Sequence, residues 1–141
     1  MMPHRRKPTF PNDVVIAVEA PALPPGMIEC RQSRGRHAEV RVRALTGYDR
    51  GQDRMPRRLT EQCRQALRNG ADSLASAGLS MQDVVRVTYL VHDTDAFPAC
   101  FPMLRNAFGD ARPGATLRLV SHFDIPGTQI EIELVARRET V

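Results

Sequence analysis

Four arginines fall where the chain reads as β-strand: Arg31, Arg41, Arg43 and Arg118. A guanidinium on a packed sheet needs an anion, because an unpaired buried charge is very costly. Glu29, Glu39, Glu131 and Glu133 stand on neighbouring predicted strands and can supply one. Two outcomes follow: cross-strand or subunit-to-subunit ion pairs, or an arginine that reaches a cleft and grips an anionic ligand through its planar fork. Arg43 and Arg118 are best placed for the second. His122 precedes the turn Asp124-Ile125-Pro126-Gly127, where a histidine can serve as acid or base near neutral pH; it reads either as such a group or as an ordinary loop residue. His92 and His37 rank below it, and His4 lies in the tail. No two histidines stand at ligand spacing, so no metal site is expected. Cys30 sits on a strand beside Arg31, where positive charge can lower a thiol's pKa and make it a nucleophile. Cys63 and Cys100 fall on apolar helix faces and read as small core residues. Three widely spaced cysteines with no CxxC pair fit a reducing compartment, and the cytoplasm is the expected location.

The elements that must position these residues are readable from periodicity. Residues 1–26 hold Pro3, Pro8, Pro11, Pro21, Pro24 and Pro25, and read as an irregular arm with one short strand at Val14–Val18. The rest of the chain, 27–141, reads as one domain. Met27–Ser33 and Ala38–Leu45 form a hairpin that turns at Arg34-Gly35-Arg36-His37. In its second strand Val40 and Val42 face one way, Arg41 and Arg43 the other. Residues 46–57 read as a loop. A helix follows over Leu59–Ala77, where Leu59, Cys63, Ala66, Leu67, Gly70 and Leu74 make one apolar stripe and Gly78 is the stop. Val84–Val91 is apolar on both faces, so cover is expected on both. A second helix spans 96–108, kinked or starting late because Pro102 would otherwise cost it an internal hydrogen bond. Thr116–Val120 and Gln129–Ala136 are the last strands. The order is β-β-α-β-α-β-β, an α+β class.

The chain has 141 residues, of which 42% are apolar and 26% charged, enough for a core without staples. No stretch approaches the roughly 20 apolar residues of a membrane helix, and no apolar signal core follows the charged N-terminus. Lysine and arginine number 20 against 16 acidic residues, a formal +4, and Lys7 is the only lysine. The Arg5-Arg6-Lys7 cluster, with Arg54, Arg57 and Arg58, is read as solvated surface. Aromatic residues make up only 5%, too few for the stacking platforms of single-strand binders, so a nucleic-acid partner is not expected.

From Thr60 to Arg137 the motifs run in a familiar order: Arg64-Gln65-Ala66-Leu67, Ala77-Gly78-Leu79-Ser80, Asp83-Val84-Val85, Val87-Thr88, Asp93, Phe97, Phe108-Gly109, Arg112-Pro113 and Ile130-Glu131-Ile132-Glu133. In these the chain resembles the Rid (RidA/YjgF) family; in the N-terminal half only Pro25-Gly26 entering a strand that turns at Gly35 matches. The resemblance implies a chorismate-mutase-like subunit with two helices on one face of a mixed sheet. It further implies a homotrimer packed around a central barrel, with ligand clefts between subunits. It implies hydrolysis of imines and enamines to keto acids and ammonia with no metal or cofactor. The family's clamp arginine aligns with Ala115, beside Thr116. Its serine-glycine pair aligns near Ala44-Leu45, and its tyrosine with Met27 or Ile28. Of the catalytic positions, Glu131 alone is matched, as the group that handles a proton or orients water.

The expectation is therefore a cofactor-free enzyme acting on a small imine, enamine or related unsaturated acid. Glu131 is its catalytic group, and Arg43, Arg118, Ala115, Thr116, Leu45, His122 and Cys30 are the candidate lining. The alternative is a non-catalytic trimer that binds a metabolite or a partner protein. In that case Glu131 is a structural strand glutamate paired with an arginine. Ribonuclease activity, which needs a continuous basic groove and falls steeply with salt, ranks last.

Overall fold

In the computed structural model, residues 14–18, 28–32 and 37–139 are described, with side chains from Glu39 to Arg138. Helix α1 (Leu59–Ser76) buries Leu59, Cys63, Ala66, Leu67, Gly70 and Leu74, the stripe expected from spacing, and adds Gln62 to it. The helix ends where glycine was read as a stop. Gly78 takes φ +76°, its N–H donates to the Ala75 carbonyl at 3.0 Å, and the Leu79 N–H reaches back to Leu74 at 2.9 Å. That pair of bonds is a Schellman closure, which satisfies the last carbonyls.

The strands are β1 (Val14–Val18), β2 (Ile28–Gln32), β3 (His37–Leu45), β4 (Val84–Val91), β5 (Gly114–Leu119) and β6 (Ile130–Glu139). They form one six-stranded mixed sheet in the order β1-β5-β4-β6-β3-β2. The pairs β1–β5 and β4–β5 are parallel; the others are antiparallel. Apart from β1, the arm expected over residues 1–26 lies outside the described residues, as does the hairpin turn at 33–36. Helix α2 (Phe101–Phe108) answers the Pro102 question with a late start. A 3₁₀ turn over Phe97–Cys100 precedes it, and Pro102 falls in its first turn, where a missing N–H costs no intrahelical bond.

Period-two alternation divides the sheet's two faces. Val40, Val42, Val87, Tyr89, Val91, Ala115, Leu117, Ile130, Ile132 and Leu134 join α1 and α2 in one core. Gly70 lets α1 settle onto it, since a methyl there would stand 2.9 Å from Leu134 and 3.0 Å from Leu45. The other face carries Arg41, Arg43, Arg86, Thr88, Leu90, Thr116, Arg118, Glu131 and Glu133. The expectation that β4 is covered on both sides holds in part. Thr88 and Leu90 are buried, but Val85 is 38% exposed. The pairing with β6 slips between Val84 and Arg86, and the bulge turns Val85 outward with Arg86. Among the described residues no helix is long and apolar enough to cross a membrane.

Gln62 ties the two loops at one end of the sheet to α1. It is fully buried. Its Nε2 donates to the carbonyls of Pro56 and Gly127, both at 2.7 Å, and its Oε1 accepts the Gln129 N–H at 2.8 Å. Gly47 packs so close that a Cβ would lie 2.5 Å from the Gln62 Cα. Replacing Gln62 by leucine keeps the volume and removes all three bonds, so Gln62→Leu is expected to lose about 2–3 kcal/mol. Urea unfolding measures this, and a variant as stable as the parent would show that the clamp is dispensable.

Candidate active site on the open face of the sheet

The register places the polar residues of the open face in rows. Leu90 of β4 is paired with Arg118 of β5 on one side and Glu131 of β6 on the other. Thr88 lies in the same way between Thr116 and Glu133. Glu131 and Arg118 are therefore two strands apart on one face, about 10 Å between backbones, with the Leu90 side chain as floor.

Glu133 is the ion-pairing glutamate. Its Oε1 lies 3.5 Å from Arg41 Nη1 and 3.6 Å from Arg43 Nε, and its side chain is 17% exposed. Glu39 holds Arg137 at 3.6 Å. The pairing expected for the strand arginines is thus present, centred on the second glutamate of the Ile-Glu-Ile-Glu string. Glu131 differs: among the described residues no cation lies within ion-pairing distance of it. Half burial, and then the nearby Asp124 carboxylate, push its pKa above the usual carboxylate value. Among the described residues Arg118 Nε is buried with no hydrogen-bond partner, a donor on the same face. Arg86 Nη1 donates to Thr116 Oγ1 at 3.4 Å.

The structure brings Glu131, Arg118, Thr116 and Arg43 onto one surface. It removes two of the expected lining residues from it. Ala115 is buried in the core because alternation along β5 turns 115, 117 and 119 toward the helices. Leu45 is in the core because β3 slips against β6 between Val42 and Leu45. Ala44, at φ +55°, is the bend that returns Leu45 to the side of Val40 and Val42. His122 is exposed on the loop after β5, where it shares a 3.2 Å hydrogen bond between Nδ1 and Ser121 Oγ. Cys30 is paired with Val40 in the backbone register, and its side chain lies outside the described residues. Asp124 and Gln62 were not foreseen as parts of the site. A glutamine inside an apolar stripe was the one visible signal for the latter.

Residues 45–138 match the model of a family described as Endoribonuclease L-PSP. A RutC family protein of Pyrococcus horikoshii is 32% identical over 81 residues, which are 57% of this chain; the match spans 64% of that protein's length. The crystal structure of Rv2704 from Mycobacterium tuberculosis, a member of the YjgF/YER057c/UK114 family, is 30% identical with a TM-score of 0.62. That alignment covers 72% of this chain and 83% of the other. The structure of E. coli TdcF with bound serine shares the fold at 23% identity and a TM-score of 0.64, covering 82% of this chain and 93% of that one.

The Glu131 shift fixes a sign for stability. A raised folded pKa means that the protonated acid stabilises the fold fully below its unfolded pKa, about 4.3, and that this is lost as pH rises through the folded value. Glutamine imitates the protonated acid. Glu131→Gln is thus expected to raise the unfolding midpoint at pH 7 and to leave it unchanged near pH 4. Equal midpoints at both pH values would mean that the carboxylate is not disfavoured by its surroundings.

Proposed function

The chain belongs to the Endoribonuclease L-PSP family, the YjgF/YER057c/UK114 or Rid group, and from that premise we propose that it is a cofactor-free hydrolase of a small imine, enamine or related unsaturated carboxylic acid. Members of this family are often enamine or imine deaminases. The observation that carries the reading is the contrast between the two glutamates. Glu133 is occupied by Arg41 and Arg43, whereas Glu131 has no ion-pairing cation among the described residues and a pKa raised by burial and by Asp124. A carboxyl held above its usual pKa is a better proton acceptor and donor for catalysis than an ordinary carboxylate.

In the proposed reaction Arg118 holds the substrate carboxylate, replacing the clamp lost to Ala115. Leu90 supports the carbon skeleton. Glu131 takes a proton from water as its oxygen attacks the imine carbon and passes it to the nitrogen, giving a carbinolamine. The same carboxyl then takes the carbinolamine hydroxyl proton and delivers it to the nitrogen as the C–N bond breaks, and ammonia and the keto acid leave. The E. coli neighbour's structure has bound serine, a small amino acid of the class this reading invokes. The row lies on the face away from the helices, and we place the working cleft between subunits of a homotrimer. The second reading, a non-catalytic metabolite- or partner-binding trimer, is favoured by the burial of Ala115 where the family's clamp would stand.

The test is release of keto acid and ammonia from 2-iminopropanoate generated in situ. Turnover is expected to be weaker than that of family members with the usual clamp. Glu131→Gln is expected to lower kcat by about 100-fold or more. Arg118→Ala is expected to raise KM by roughly 10-fold or more, as fits loss of a charge-assisted hydrogen bond. Full turnover by the Gln variant would refute the role of Glu131. Binding of small acids with no turnover by the parent would favour the second reading.

A further inference from the structure

Arg86 stands on the open face of the sheet and has no part in the reaction proposed above. The bulge between Val84 and Arg86 turns it outward. Its register partner on β5 is Gly114, which offers no side chain. The guanidinium instead reaches Thr116, where Nη1 donates to Oγ1 at 3.4 Å. Thr116 and Arg118 are one alternation apart on the same face of β5, about 7 Å between backbones. Two guanidiniums from adjacent strands thus serve the two ends of one short stretch. The face also holds more positive charge than it neutralises. Glu133 takes up both Arg41 and Arg43, at 3.5 and 3.6 Å. Among the described residues no carboxylate lies within ion-pairing distance of Arg86 or Arg118. The partner of Arg86 is a neutral hydroxyl, and Arg118 Nε is buried with none. An exposed arginine alone is ordinarily a solvated group. A second one nearby with a desolvated donor makes a pair that two linked anionic groups would satisfy.

Resting on the imine-hydrolase reading of this site, we propose that its substrate is a short dicarboxylic imino acid, with Arg118 binding the carboxylate next to the imine carbon and Arg86 binding the second carboxylate. Arg86 is then the residue that sets specificity. Its guanidinium has five N–H donors, so the bond to Thr116 steadies it and leaves others for an incoming anion. A monocarboxylic imine such as 2-iminopropanoate meets Arg118 and Leu90 and leaves Arg86 in water. The dicarboxylic 2-iminobutanedioate adds a charge-assisted hydrogen bond at the Thr116 end. The chemistry at the imine carbon is unchanged: one water is consumed, and ammonia and the oxo-diacid are released.

The experiment titrates the full-length protein calorimetrically with two stable stand-ins that differ by one carboxylate, 2-hydroxybutanedioate and 2-hydroxypropanoate, and with sulfate as a control for bare charge. The parent is expected to bind the diacid at least about 10-fold more tightly, as one charge-assisted hydrogen bond allows. Arg86→Met keeps the aliphatic stem and removes the charge, and is expected to bring the ratio near one. Arg86→Lys is expected to restore part of the preference, and Arg118→Ala to weaken both acids. The proposal is overturned if the parent binds the two acids equally, if sulfate binds as tightly as the diacid, or if Arg86→Met keeps the preference. Failure of the parent to bind any of the three overturns it too, since the arginines are then spent on contacts between subunits. Turnover judges the underlying reading separately. A parent that hydrolyses 2-iminopropanoate but shows no diacid preference loses only the role of Arg86. A diacid preference without turnover of 2-iminobutanedioate, generated in situ from aspartate by its oxidase, removes the catalysis and leaves the binding assignment standing.

Discussion

Glu133 draws two guanidiniums to one carboxylate, and the organisation of the open face follows from that. A sheet covered by helices on one side must still place every second residue of β3 and β6 on the other. Here those residues are arginines and glutamates. With Arg41 and Arg43 both within 3.6 Å of Glu133, the charges of β3 are neutralised locally. Glu131, one alternation along the same strand, has an aspartate and, among the described residues, no cation beside it. Two glutamates in one tetrapeptide thus take different chemical states because their neighbours differ, not because their residue type does.

The core side sets where that chemistry can stand. Gly70 brings α1 against β3 and β6, and Gln62 carries the order of the helix into the loops before it and before β6. Asn69 continues this one turn pair later by donating to the carbonyls of Thr46 and Tyr48 at 3.0 and 2.9 Å. The loop that carries His122 and Asp124 is therefore pinned at its β6 end by the buried face of a helix. This is what fixes an acidic group near Glu131.

Much of this architecture is legible in the sequence because burial writes simple periods. The α1 stripe, the Gly78 stop, the β4 strand and the Pro102 start each follow from one residue type meeting one local constraint. The site is less legible, for two physical reasons. A bulge changes strand phase without a mark in composition, so Leu45 looks like a neighbour of Arg43 yet lies on the opposite face. Ala115 is a plain alternation outcome, but alignment with a clamp residue assigned it a cleft position that β5 does not give it. Nor does the string Ile130-Glu131-Ile132-Glu133 say which glutamate is paired; only the cross-strand register does. Among the described residues the arginine pairing falls on Glu133, the second glutamate of the string.

The pairing of β1 with β5 has a consequence for how the molecule is made. Val14 lies alongside Ala115, about a hundred residues later in the chain. A parallel edge strand of such separation cannot form until its partner exists, and closing so long a loop is entropically slow. β1 therefore completes the sheet only after β5, its partner, is in place.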